Sequence, residues 1–297
     1  MERSVQNFRK LAKKTVDQGE IKLSRFISAP EWLSMMSAGE GAMMRLQEAW
    51  RNIFSSALQE VVEIPKQEIP DSESQARCRA LFGPRNFFGM QEVAGSYGYA
   101  FSEQEIEERK AVRLLDRNGM LLSEEESWEL IQLCHKEAPG EFVCCTAVPH
   151  SMCDVYEKHP DAFHPEHREW FWFCDRAQRQ TWSEKKIPDF WFLIRKEPVP
   201  KSWYKSSVDQ DAWLLETHSH ERFARPEHIV YGDVLCEKAS KGSVRLFCNE
   251  YMGRTLVPTA QGILVAVCRI PTGLLVNNVF GEPSWSCGVP SLWTSEP

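Results

Sequence analysis

The segment CCTAVPHSMCDVYEKHPDAFHPEHREWFWFC, residues 144–174, holds four cysteines and four histidines. Within it His150-x-x-Cys153 precedes His164-x-x-His167 with ten residues between the pairs. Zinc takes imidazole nitrogen and thiolate sulfur in tetrahedral sites, and an i, i+3 pair lets two side chains converge from one turn. His150, Cys153, His164 and His167 are therefore the candidate metal ligands, and zinc the candidate cofactor. The competing reading is loop histidines beside buried cysteines. A single cysteine is few for a structural zinc site, and Pro149, Pro160 and Pro165 mark the segment as surface loop. A catalytic version is incomplete. His164-Pro165-Glu166 satisfies the H-x-E half of the zinc-deaminase signature, but no P-C-x-x-C follows. H-E-x-x-H is absent as well.

Other constellations carry weaker chemistry. THSHERFARPEH brings His218, His220, Glu221 and His228 together in sequence, and Asp233 follows. In an extended strand His218 and His220 share a side. This is a second place for a metal, or a polar loop before a helix. Tryptophans 170, 172, 182, 191, 203 and 213 crowd into one region. Trp170 and Trp172 alternate with Phe171 and Phe173, as on a strand buried on both faces. The Trp side is either core or the wall of a ligand cleft. FLIRKEPVPKSWYK places Arg195, Lys196, Lys201 and Lys205 next to Trp203 and Tyr204, a basic and aromatic patch able to hold a phosphate. Trp170, Trp172, Trp191, Arg195, Lys196 and Trp203 are thus the candidate ligand-binding residues. G-x-S-x-G is missing, so a nucleophile-elbow hydrolase is not indicated. Cys144, Cys145 or Cys153 could still meet a histidine as a thiol nucleophile.

The elements that must position these groups follow from periodicity. Over residues 1–62 the pattern is helical, with Met43, Leu46, Trp50, Ile53, Phe54, Ala57 and Leu58 forming one apolar stripe. EIPKQEIPDSESQARC, with the residues on to 79, reads as a linker or wrapping loop. Two prolines and dense charge carry that reading. The glycines around 83–98 indicate turns. SEQEIEERK is a charged helix. In SEEESWELIQLCHKEAPG, Ser123 and Glu126 form a capping box, with Trp128, Ile131, Cys134 and His135 on one face and Pro139-Gly140 as the stop. EFVCCTAV, EWFWFCDR, DFWFLIRK, SVRLFCNEY, GILVAVCRI and LLVNNVF read as strands. PTG joins the last two as a hairpin turn. PEHIVYGDVLCEKASKG is a helix with Pro226 in its first turn and Gly242 past its end. Helices first and strands later predict α+β: a helical N-terminal region, then a mixed domain over 80–297 with a mostly antiparallel sheet.

Composition bounds the function. A net charge of −7 over 297 residues argues against broad nucleic-acid or anionic-membrane binding. No apolar run reaches transmembrane length, and the charged N-terminus lacks a secretory signal pattern, so a cytoplasmic protein is expected. Ten cysteines without a C-x-x-C are expected to be mostly thiols.

From FWFLIRKEPVPKSW through SVRLFCNEYMGRTLV the chain resembles the C-terminal part of some uncharacterised bacterial proteins. Arg195, Pro200, Ser202, Arg245, Leu246, Phe247 and Arg254 carry the likeness, over about a third of the chain. That group has no assigned activity, so the resemblance implies a bacterial or phage setting and nothing of function.

The expectation is a soluble cytosolic binding or interaction protein with an aromatic-lined cleft, its partner a small molecule or a protein. The alternative is a zinc-dependent hydrolytic enzyme using the histidines between 150 and 228. The N-terminal helices could also assemble the chain into a homo-oligomer.

Overall fold

The computed structural model describes residues 67–165, 182–187, 190–246, 252–258, 263–279, 281–282 and 287–295. The chain divides into Met1–Pro65 and Lys66–Pro297, and every described residue belongs to the second unit. The expected N-terminal helices and their Met43–Leu58 stripe lie outside the described residues, as do the EWFWFC strand and His167.

Local capping starts most of the helices. In α1 (Glu73–Phe82) the Ser72 hydroxyl accepts from the Gln75 amide. Over residues 73–79 this helix replaces the expected linker or wrapping loop, while 63–66 lie outside the described residues. The two prolines end by residue 70, and a capped helix then buries Ser74, Gln75, Cys78 and Phe82. After the short strand β1 (Phe87–Phe88), the glycine-rich segment also departs from its expected turns. It forms α2 (Met90–Tyr97), because the Gly89 amide donates to Glu92 and Met90, Val93 and Tyr97 bury one stripe. Helix α3 (Glu103–Arg109) forms where a charged helix was expected, with a capping box at Ser102–Glu105, and α4 (Glu124–Glu137) carries the expected one at Ser123–Glu126. Helix α4 buries Ser127, Leu130, Ile131 and Cys134, while Trp128 and His135 sit half-buried at the margin of that face.

Next come β2 (Phe142–Thr146), α5 (Met152–Lys158), β3 (Trp191–Arg195), α6 (Ser207–Thr217), β4 (Glu221–Phe223) and α7 (Pro226–Ala239). The chain continues through β5 (Met252–Pro258), β6 (Leu264–Ile270), β7 (Gly273–Val279), β8 (Cys287–Gly288) and β9 (Ser291–Trp293). Two mixed sheets result, ordered β1-β2-β3-β9-β4 and β7-β6-β5-β8. Their pairings are antiparallel except β1 with β2 and β5 with β8. The fold is α+β, as expected. Residues 243–246, read as the start of a strand, are not in one. Among the described residues no helix is long and apolar enough to cross a membrane.

Strand periodicity divides the core. On the first sheet Phe142, Cys144, Trp191, Leu193 and Trp293 face α1 and α4. Val143, Cys145, Phe192, Ile194 and Leu292 face the other way, toward α2 and α7. Helix α7 is buried from Pro226 to Cys236 and packs against elements of both sheets. Its buried span includes Glu227, His228 and Asp233 along with the apolar residues. Gly232 lets it approach β3, since a Cβ there would stand 3.3 Å from Leu246 and 3.6 Å from Ile194.

The PTG hairpin forms as expected, pairing Ile270 with Gly273. Gly273 has φ +135°, and a Cβ on it would meet backbone atoms of Phe163 and His164 at 2.6–2.7 Å. The neighbouring Leu274 carbonyl accepts from the His164 amide at 2.8 Å. Gly273→Ala is expected to lower stability by about 2 kcal/mol through backbone strain and displacement of this contact. A denaturant melt checks it, and an unchanged midpoint would show that the 163–164 loop yields freely.

Candidate functional site

The cleft with the densest polar chemistry opens beside the end of β3. It measures about 240 Å³ and is lined by Glu137, Glu141, Arg195, His218, His220, Glu221 and Trp293, among others. Strand β9 creates it by inserting between β3 and β4. Register sets Glu221 opposite Trp293 and Ile194 opposite Leu292, so Arg195 and Glu221 flank the same strand.

Glu221 is 1% exposed and its carboxylate gathers four polar contacts, three of them hydrogen bonds. Arg195 donates through Nε to Oε2 at 3.0 Å and through Nη2 to Oε1 at 2.6 Å. His218 Nδ1 lies 3.1 Å from Oε1, and the Ser291 hydroxyl donates to Oε2. Burial pushes the Glu221 carboxyl up. Hydrogen bonds from His218 and Arg195, the guanidinium charge and Ser291 outweigh it, so the group titrates below its ordinary range. Arg195 also pairs with Glu141 at the cleft mouth.

The segment bearing His218 is held from three sides. The Glu221 amide donates to the His218 carbonyl at 2.8 Å and the Thr294 amide to the His220 carbonyl at 2.7 Å. Arg117 donates to the carbonyls of Ser219 and Glu221 at 3.1 and 2.7 Å. The His220 ring stacks on Trp293, 5.4 Å between centroids and 15° between planes. Trp293 Nε1 is buried on this wall without a hydrogen-bond partner.

His218 engages Glu221 through Nδ1, which leaves Nε2 for another partner. At 29% exposure on the cleft wall the ring is placed to hydrogen-bond a ligand. Ser291 donates to Glu221, so Ser291 and His218 form no nucleophile–base pair.

Of the expected ligand-binding set, Trp191, Arg195, Lys196 and Trp203 are described, and these four do not form an open aromatic face. Trp170 and Trp172 lie outside the described residues. Trp191 is fully buried, stacks on Phe87 at 5.5 Å and donates to the Arg109 carbonyl at 3.3 Å. This corrects its cleft role: β3 is an interior strand covered on both faces. Arg195 is committed to carboxylates and Lys196 donates to the Gly140 carbonyl at 2.7 Å, so neither heads a phosphate patch. Trp203 is half-buried after β3. Among the described residues of this set, Arg195 alone lines the cleft. Glu141, Ser291 and Trp293 escaped the sequence reading, because only long-range strand pairing brings them to Glu221.

Of the expected zinc ligands, His150, Cys153 and His164 are described. Among the described residues no three His, Cys, Asp or Glu side chains gather where a metal ion could be held. Cys153 is disulfide-bonded, which removes its thiolate. Asp233, considered beside His218 and His220, instead pairs with Arg269. Cys144 and Cys145 are fully buried, and burial pushes both thiols well above their ordinary value, so neither is a nucleophile.

His150 and His159 both pack edge-on against Tyr97, at 5.5 and 5.1 Å, and Nε2 of each is buried without a partner. Burial and then Lys158 hold His150 below its ordinary value. Burial and then Lys238, against Asp161, push His159 down to about 4. A base whose folded value is depressed contributes stability above its unfolded value and loses it as pH falls. Between about pH 6.5 and pH 4, His159 is expected to cost about 1–2 kcal/mol, after discounting for its partial exposure. A His159→Gln variant followed by urea melts at both pH values should flatten this slope, and an unaltered slope would place the acid sensitivity elsewhere.

No protein-family model, curated protein or solved structure matches the chain.

Proposed function

We propose that the chain is a binding protein for a small polar ligand, seated in the cleft beside His218. The observation that carries this reading is the His218–Glu221 pair, a hydrogen-bonding imidazole oriented by a buried carboxylate on a cleft wall. Glu137 and Glu141 add exposed acceptors at the same mouth, while Arg195 is already paired. The cleft therefore favours a ligand rich in N–H donors, such as an amine, with the His220–Trp293 stack as its flat wall. A cytosolic setting is supported by seven free cysteines among the described residues, Cys153 being the exception.

A thermal-shift survey of polar metabolites on the wild type and on His218→Ala tests the reading. Amine-bearing compounds should raise Tm by about 2–4 °C in the wild type and lose that effect in the variant. Equal shifts in both proteins would move the site elsewhere, and no shift with any amine would end the proposal. The zinc-hydrolase alternative requires His150 or His164 to join ligands beyond the described residues. About one equivalent of zinc, lost in His164→Ala, would favour it.

A further inference from the structure

A second hollow, of about 360 Å³, lies between the start of α5 and the 185–187 segment, lined by Tyr99, Pro149, His150, Asp154, Glu157, Lys158 and Lys186. That is within the size range of small-molecule pockets, ~300–1,000 Å³. His150 is 8% exposed and lines it. Its Nε2 is buried without a hydrogen-bond partner among the described residues. A buried acceptor left unmade costs about 1–3 kcal/mol, and such a group on a cavity wall points to a ligand donor.

The other groups define that ligand. Tyr99 is occupied, donating to Glu105 at 2.6 Å. Asp154 accepts from the Ser151 amide and hydroxyl through Oδ2, which leaves Oδ1. Lys158 donates once, to the Tyr97 carbonyl at 3.2 Å, and keeps two N–H bonds. Glu157 and Lys186 have no ion-pair partner among the described residues. The hollow thus presents two ammonium groups and two carboxylates around a neutral acceptor. A simple anion would meet Asp154 and Glu157, and a simple cation would meet both lysines.

We propose that this hollow is a second ligand site, built for a small zwitterion of the amino-acid class. The ligand carboxylate would sit between Lys158 and Lys186, and its ammonium would face Asp154 and Glu157 and donate to His150 Nε2. The site is separate from the His218 cleft and stands or falls without it.

Heteronuclear NMR of the His150 ring in the full chain tests the proposal, adding each common amino acid at roughly 10 mM, with acetate and methylammonium as half-ligands. At least one amino acid should shift the His150 ring, at least about tenfold more tightly than either half-ligand. Lys186→Gln and Glu157→Gln, both at exposed positions and so compatible with folding, should each weaken it by about tenfold. The proposal is overturned if no amino acid moves His150, if acetate or methylammonium alone binds as well, or if both variants leave the affinity unchanged.

Discussion

Glu221→Ala is expected to lose about 3–5 kcal/mol of unfolding free energy, because it strips the main partner from a buried guanidinium. Arg195 is 4% exposed, and its remaining carboxylate, Glu141, is half in water. The variant also leaves Ser291 and His218 without their acceptor. Glu221→Gln keeps the shape and some hydrogen bonds, so it should cost less, about 2 kcal/mol. Removing both charges in Arg195→Met/Glu221→Leu should recover much of the loss, since well-packed apolar pairs often replace buried ion pairs at little cost. Urea denaturation of the four proteins decides the matter. A loss below about 1 kcal/mol for Glu221→Ala would mean that water reaches the pair and that the cleft is not preorganised. The pH dependence carries its own sign. Glu221 has a depressed folded value, so its contribution is present above the unfolded carboxylate range and is lost as pH falls through the folded value.

The second large effect belongs to Asp233 on α7. Its Oδ2 accepts from Arg269 Nε at 2.7 Å and also from Nη2, and its Oδ1 accepts from the Leu246 amide at 2.7 Å. The aspartate is fully buried, and burial pushes its carboxyl above the ordinary value despite the pull of Arg269. Glu237 also reaches Arg269, at 2.9 Å. Asp233→Ala should cost about 3–4 kcal/mol, near the low end for a broken buried pair, because Glu237 retains part of the partnership. Glu237→Ala in that background should then cost more than in the wild type. Additive losses would show that the two carboxylates act on Arg269 independently.

Elements specified by neighbouring residues were legible. Ser123, Pro226 and the PTG turn each state their geometry within a few positions, and each is observed. The alternating core of β2 and β3 was legible as strand, but its depth was not. Trp191 carries the same letters whether it walls a cleft or fills a core, and only the cover of β9, α1 and α4 decides between them. The α2 helix was hidden by Gly89, Gly95 and Gly98, which act as boundary or exposed residues around a short buried stripe. The His218–Glu221 pair sits within four residues of sequence, yet its meaning depends on Arg195 and Ser291, which periodicity cannot join. The metal reading rested on residue types, and types do not show convergence.

Strand β9 has a consequence for the order in which the molecule is built. Ser291 reaches back 70 residues to Glu221, and β3 and β4 have no pairing with each other except through β9. A growing chain that has emerged only as far as β7 therefore carries Arg195 and Glu221 across an empty slot, with two strand edges open to other chains. The cleft, its aromatic wall and the burial of its ion pair arrive together, once β9 has emerged. Folding of this half is then governed by a distant closure, a slow, high-contact-order step in which a nascent chain is most exposed to aggregation and most dependent on chaperones.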